Sequence, residues 1–359
     1  MATAATAPLT LYFLSDGAQT DTAVAQQVTQ FIDLATRSLD IAIYDLRLQA
    51  APADALLGSM RAAITRGVKV RLMFNQDHAQ KIPVPPPPEI DFAFVNQLKA
   101  AGVAVTPVPG VPDLMHHKYV VRDGAAVLSG STNWTNDSWT REENVIFTVA
   151  SPDIASAYTQ DFEELWQQPV VATSGRVNQG WAQLADGTGV RAYFCPGRAL
   201  KLVHSMSRSI ASARKRIRVC SPVITSGPIL GTLAEAIEHQ SADISGVYDA
   251  TQMDEVQHQW ADQSTASWKI GAFKSIVASA RFGSKRSTPY ASGSVHDFMH
   301  AKILVADDYV YIGSFNLSHS GEMNAENVLQ VQSKAIADQC AAYVEQMTAR
   351  YGGPHTTSS

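Results

Sequence analysis

Cysteine is scarce in this sequence: Cys195, Cys220 and Cys340 are the only three in 359 residues. An odd, scattered set cannot complete a disulfide framework and shows no zinc-type spacing, so the three read as small core residues. Charge is sparse as well, at 17% of residues, and it is not basic: 28 Lys and Arg against 33 Asp and Glu leave a formal net charge of -5. That balance supplies no long-range attraction to nucleic-acid phosphates or anionic membranes, and leaves only a local basic cleft as a route to a polyanion. No apolar run approaches the roughly 18–20 residues of a membrane-crossing helix, and residues 1–10 lack the basic start and apolar core of a secretory signal. The expected location is the cytoplasm. With 45% hydrophobic residues the chain is nonetheless well able to build a core, which excludes wholesale disorder.

What the sequence does contain is an internal repeat at an offset of about 180 residues. Tyr12-Phe13-Leu14-Ser15 answers Tyr193-Phe194-Cys195-Pro196, and the run ending in Leu39-Asp40-Ile41 answers Ile217-Arg218-Val219. Asp113-Leu114-Met115-His116-His117-Lys118 returns as Asp297-Phe298-Met299-His300-Ala301-Lys302, and Glu143-Asn144-Val145 as Glu326-Asn327-Val328. Two related domains are expected, residues 1–178 and 179–359. Amphipathic helical periodicity falls on 21–37, 52–66, 90–101, 154–167, 199–213, 229–239 and 336–351, with apolar β-rich runs between. The alternation predicts two similar α/β sandwiches, each with helices on both faces of its sheet. The proline run at 83–88 cannot be helix or central strand and is expected to be a stiff surface loop.

The chemistry sits in the most polar part of the repeat. His116, Lys118 and Asp123 form H-x-K-x4-D, followed by Gly130-Ser131-Thr132-Asn133; His300, Lys302 and Asp307 repeat it, followed by Gly313-Ser314-Phe315-Asn316. A six-position pattern occurring twice is not an accident of composition. Residues two apart on a strand share a face, so each His and Lys point together while His117 and Ala301 point away. Asp123 and Asp307 stand where the strand must turn and are given a structural role. The return strands carry Asn133 and Asn316 back toward the His-Lys pairs, and Ser131 and Ser314 join them as candidate phosphate contacts. Glu143 and Glu326 are candidates to accept the second ring N–H of a histidine and fix its tautomer.

Two imidazoles, two ammonium groups and two carboxamides suit a phosphodiester. One imidazole can attack phosphorus, the other can protonate the leaving oxygen, and the lysines and amides can hold the non-bridging oxygens. That scheme requires no cofactor and no metal ion. A zinc reading of His296 and His300, or of His116 and His117, is set aside: no Glu lies between the first pair in zincin position, and the counterpart of His296 is Pro112. His78, His204 and His258 have no repeat partner and are assigned ordinary roles. Leu114-Met115 and Phe298-Met299 are read as strand-edge core, and Trp134, Trp139 and Trp260 discriminate nothing.

The doubled H-x-K-x4-D pattern resembles that of the phospholipase D superfamily, over nearly the whole chain. The resemblance implies two α/β domains meeting at a pseudo-twofold axis, both motifs in one site, and a two-step reaction through a phosphohistidine. It makes His116 the nucleophile and His300 the general acid. Lys118, Lys302, Asn133 and Asn316 become phosphate ligands, and Glu143 and Glu326 become supports. The expected substrate is a phospholipid, hydrolysed or transferred to another alcohol by a functional monomer. The alternative is a metal-independent nuclease, for which Arg208, Arg214, Lys215, Arg216 and Arg218 would have to furnish a basic groove. A silent phosphate-binding module is disfavoured, because binding alone does not demand two histidines.

Overall fold

The computed structural model describes residues 7–76, 92–263, 265–289, 291 and 293–352. His78 and the proline run at 83–88 lie outside them. Each half is built on a mixed sheet of one design. In the first, the strand order is Leu9–Leu14, Asn144–Ala150, Ala126–Gly130, Lys118–Arg122, Ser38–Ile43, Lys69–Asn75 and Ala104–Val108. The second runs Gly189–Cys195, Glu326–Gln332, Tyr309–Gly313, Ile303–Ala306, Arg216–Ser221, Asp243–Asp249 and Arg281–Lys285, with the short strand Ala182–Gln183 added at its edge. In both, the last three strands pair in parallel and the rest antiparallel. The chain is thus a duplicated two-domain α/β fold, and no described helix is long and apolar enough to cross a membrane.

Burial divides into three layers of core. One lies outside the first sheet, where Val24, Val28 and Ile32 of helix Asp21–Asp33 meet Leu56 and Met60 of helix Ala50–Thr65. A second lies outside the other sheet, under helices Ala199–Ser212 and Gly227–Glu238. The third is shared between the sheets and filled by helices Pro152–Gln167 and Lys334–Tyr351. These two helices reach across: Tyr158 meets Phe194 edge-on at 5.0 Å, and Tyr343 stacks on Phe13 at 4.6 Å. Burying aromatic area this way makes the two halves one hydrophobic unit.

The helices start where capping chemistry allows. Thr20, Ser151 and Ser333 each accept a backbone N–H three residues on, satisfying a first-turn donor that has no partner inside the helix. Four described helices have no counterpart in the sequence reading, the longer Ala250–Ala261 and Trp268–Ser279 and the five-residue Asn136–Thr140 and His319–Met323. The first is mostly polar and buries only Ala250, Met253 and Trp260, so its periodicity is faint; its signal is Asp249, which caps Gln252.

Asp123 and Asp307 occupy matching turns with left-handed φ of 58° and 52°, a region Asp tolerates better than most residues. Asp123 accepts the N–H groups of Thr36, Arg37 and Ser38; Asp307 accepts those of Arg214, Lys215 and Arg216. Each carboxylate therefore ties the turn after the His-Lys strand to the start of the neighbouring strand. These backbone bonds hold both carboxyls below the usual range against the opposing effect of burial.

Candidate active site

A single cavity of about 300 Å³ is bordered by His116 and Asn133 from the first half and by His300 and Asn316 from the second. The histidines reach it because the chain crosses between halves just before each motif strand. His116 N–H donates to the Ala325 carbonyl at 2.9 Å, and His300 N–H to the Glu143 carbonyl at 3.1 Å. Met115 bridges Ala325 and Met299 bridges Glu143 in matching parallel contacts, the reciprocal exchange that a twofold relation produces.

The ring partners are crossed as well. His116 Nδ1 lies 2.8 and 2.9 Å from the two carboxylate oxygens of Glu326, in the other half. His300 Nδ1 lies 3.1 Å from Asn144 Oδ1 and 3.2 Å from Glu142 Oε2. Glu142, which beside Glu143 could pass for a solvated surface charge, is buried at the cleft and takes hydrogen bonds from Ser138 Oγ and Asn144 Nδ2. Burial raises its carboxyl to about 7, against the lowering effect of those bonds.

Glu143 does something else. Its side chain turns away from both imidazoles, with Oε2 2.7 Å from Lys285 Nζ and Oε1 accepting the Asp16 N–H and the Tyr351 hydroxyl. The expected support role for Glu143 is corrected on that geometry. Strand register explains the shift: Gly130 stands opposite Ile146, whereas Gly313 stands opposite Val328. The structural counterpart of Glu326 is therefore Asn144, and that of Glu142 is Asn324.

Ser131 and Ser314, expected among the phosphate contacts, are also reassigned. Both are fully buried; Ser131 Oγ donates to Asn144 Oδ1 at 2.7 Å and Ser314 Oγ to Glu326 Oε2 at 2.5 Å. Their hydroxyls brace the groups that aim the histidines. The glycines before them are required by space: a Cβ on Gly130 would stand 2.0 Å from the Val145 carbonyl, and on Gly313 2.1 Å from that of Asn327.

Lys118 and Lys302 lie under the histidines, each ammonium donating to the carbonyl of its own motif's histidine. Burial brings Lys118 down to about 7, opposed by Glu326, Asp45 and Glu142. It also drives Lys302 well below its ordinary value, with Lys118 adding to the effect. Both imidazoles are pushed well below their ordinary value by burial and then by the two lysines, so each motif's ammonium acts on the other motif's ring. Asn133 and Asn316 each bury an Oδ1 with no hydrogen-bond partner, an unsatisfied carboxamide on either side of the cavity. Trp139 holds the first in place by donating Nε1–H to the Asn133 carbonyl at 2.8 Å.

The walls mix apolar, neutral polar and acidic side chains. Tyr44, Leu114, Pro222 and Phe298 line the cavity, with Asp45, Glu142 and Glu255, and no Lys or Arg is among the described lining residues. Leu114 and Phe298 are thus cleft surface, while Met115 and Met299 are the core residues. Trp134, Trp139 and Trp260 are buried. His117 points into the core between the sheets, 3.1 Å from Asp161 and 3.3 Å from Asn327 Oδ1. His296 borders the cleft, but residues 295–300 are not helical, so helical ligand spacing does not apply to His296 and His300. The basic cluster is dispersed: Arg216 pairs with Asp338, and buried Arg218 with Asp243 and Glu345.

A family model described as "Cardiolipin synthase, PLD-like domain" matches this chain twice, over residues 28–166 and 206–348. Mitochondrial cardiolipin hydrolase of Xenopus tropicalis is 33% identical over 135 residues, which is 37% of this chain and 57% of that protein. The Xenopus laevis protein of the same name is 34% identical over 155 residues, 43% of this chain and 66% of that one. The chain therefore spans between about half and two thirds of the length of these relatives. In three dimensions it is similar to the crystal structure of phosphatidylserine synthase from Haemophilus influenzae Rd KW20. The TM-score is 0.66 at 13% identity, covering 95% of this chain and 86% of that one, a likeness of fold.

Proposed function

The chain belongs to the PLD-like domain family of the phospholipase D superfamily, and on that premise we propose that it is a phospholipid phosphodiesterase working through a covalent phosphohistidine. The observation that carries the lipid reading is the cleft wall: apolar side chains, neutral amides and hydroxyls, and carboxylates surround the two histidines with no Lys or Arg among the described lining residues, which suits a lipid headgroup and opposes a polyanion track. Val111, Val295 and Met323, exposed at 52%, 39% and 43%, lie close in sequence to the lining residues Leu114, Phe298 and Asn324. The mitochondrial cardiolipin hydrolases supply a first substrate class to try.

In the reaction, the diester sits between the imidazoles with its non-bridging oxygens toward Lys118, Lys302 and the amides of Asn133 and Asn316. His116 Nε2 attacks phosphorus; the bond to the headgroup oxygen breaks, and His300 gives that oxygen its proton. Water then attacks the phosphohistidine, His300 takes the water's proton, and the P–N bond breaks to release phosphatidic acid and neutral His116. Burial and then the two lysines push the His300 imidazole below its ordinary value, and a bound anion opposes the lysines' part of that effect, so substrate binding itself favours the imidazolium needed as acid. The lysines supply positive charge at the phosphate, and the scheme needs no metal ion.

The test is turnover of cardiolipin and phosphatidylcholine in mixed micelles, beside plasmid DNA, all in EDTA. Release of phosphatidic acid or of the headgroup alcohol is not enough alone; a base-stable, acid-labile phosphoryl adduct must also form on the protein during turnover. DNA cleavage without lipid turnover, or turnover only after metal is restored, overturns the proposal.

A further inference from the structure

On the outer face of the second sheet, strand Gly189–Cys195 and helix Ala199–Ser212 border an open groove of about 320 Å³. It is lined by Arg191, Tyr193, Lys201, His204, Ser205 and Arg208, with no carboxylate among them. Lys201, His204 and Arg208 follow helical spacing and share one exposed helix face, toward which Arg191 rises from the strand. Arg208 and His204 make no hydrogen bond or ion pair among the described residues. Lys201 reaches only Asn178 Oδ1, at 3.4 Å, and Arg191 is held over the Tyr193 ring at 4.8 Å with one N–H on the Gln179 carbonyl. The floor is polar: Ser205 Oγ lies 2.8 Å from the Tyr311 hydroxyl.

Several cations elsewhere meet a carboxylate, Arg71 with Asp40 and Glu163, Arg286 with Asp254, Arg216 with Asp338; among the described residues Arg191, Lys201 and Arg208 do not. The fold does not demand the patch either. The equivalent strand and helix of the first half, Leu9–Leu14 and Asp21–Asp33, contain no Lys or Arg. A concave, carboxylate-free cluster of guanidinium and ammonium groups is matched by a phosphate, which guanidinium binds through two parallel N–H donors.

We propose that this groove binds the phosphate of an anionic phospholipid at a membrane surface, as a second anion site separate from the catalytic cleft. The choice of a lipid rests on the phospholipid reading of that cleft; the charge complementarity does not. Openness favours a surface-bound headgroup, and a net charge of -5 means that attraction to an anionic leaflet has to come from a local cluster.

The experiment is co-sedimentation of the full chain with phosphatidylcholine vesicles, with and without roughly one third phosphatidylglycerol, comparing the parent with Arg191→Gln, Lys201→Gln and Arg208→Gln singly and combined. Each charge removed should weaken retention on the anionic vesicles about fivefold, the triple variant about a hundredfold, and added salt should erase the difference. Equal retention of parent and triple variant overturns the proposal, as does parent retention that ignores vesicle charge. Loss of free inorganic phosphate binding in the variant, with no vesicle binding by the parent, also overturns it by assigning a soluble ligand. Turnover of a small soluble diester, measured alongside, should be unchanged in the variants. Its absence from every protein would count against the catalytic reading and leave the binding result standing.

Discussion

On the approach to the last strand of the first sheet, the acid comes before the amide: Glu142, then Asn144. At the equivalent place in the second sheet the order is reversed, Asn324 and then Glu326. The exchange leaves His300 facing a carboxamide and a carboxylate and His116 facing a carboxylate, while the Asn324 amide oxygen accepts the Leu114 N–H instead. His116 receives both oxygens of Glu326 at 2.8 and 2.9 Å, while His300 is met first by the Asn144 amide oxygen, with Glu142 slightly farther at 3.2 Å. A carboxylate on Nδ1 increases the basicity of the opposite nitrogen and stabilises positive charge on the ring; an amide orients the ring with less of that effect. In the proposed reaction this difference matches two tasks, the His116 ring to attack phosphorus and carry the covalent bond, and the His300 ring to release and retake a proton.

The strongest way to break this division is to remove each ring and vary the leaving group. His116→Ala should abolish turnover of every diester, because it removes the nucleophile of the proposed reaction. His300→Ala should lose ~10²–10⁴ in steady-state turnover of either substrate, because the second step still needs its base, but should keep the first-turnover burst on a nitrophenyl diester, whose leaving group departs without a proton. Burst and steady-state rates on the two substrates decide it; a burst kept in His116→Ala and lost in His300→Ala would exchange the roles. A finer test compares the supports. Glu326→Gln should cost ~10²–10⁴ in kcat by analogy with loss of the carboxylate behind a catalytic histidine, and Glu142→Gln only ~10-fold. Equal losses would mean that the exchanged order of acid and amide has no catalytic meaning.

Repeat and motif made the fold class readable: the paired H-x-K-x4-D runs and the alternation of helical and strand patterns describe two like sheets. The supports of the histidines were not readable, for a local reason. Glu143-Asn144-Val145 and Glu326-Asn327-Val328 share letters, but the first half carries one more residue between helix Asn136–Thr140 and its strand than the second carries after helix His319–Met323. The matching letters are one step out of register, and on a strand one step changes the face. Hydrogen-bond ladders, not residue identity, set that register. Ser131 and Ser314 failed differently: a serine after glycine reads as a phosphate contact until burial commits its hydroxyl to an internal acceptor. The wall formed by Thr251, Gln252 and Glu255 was hidden because its helix buries too few apolar residues to show a period.

The smallest catalytic effect belongs to the residue that letter matching favoured. Glu143 and Lys285 form an ion pair at 2.7 Å with the carboxylate wholly buried and the lysine 5% exposed, and the same carboxylate fastens Asp16 and Tyr351. Tyr351 is lifted above its usual value by burial and then by that contact. The pair joins the strand entering one half of the cleft to an outer strand of the other half. Glu143→Gln keeps the shape and removes the charge, leaving the Lys285 ammonium with only Asp16 at 3.4 Å and the Arg141 carbonyl at 3.0 Å. Breaking a buried pair from one side costs about 3 kcal/mol, since the remaining ion stays desolvated. The expected outcome is a lower urea midpoint with kcat of the folded protein within about threefold of the parent. If turnover instead fell as far as in Glu326→Gln while the urea midpoint held, Glu143 would belong with the histidines, and the contrast between the two half-sites would have to be redrawn around it.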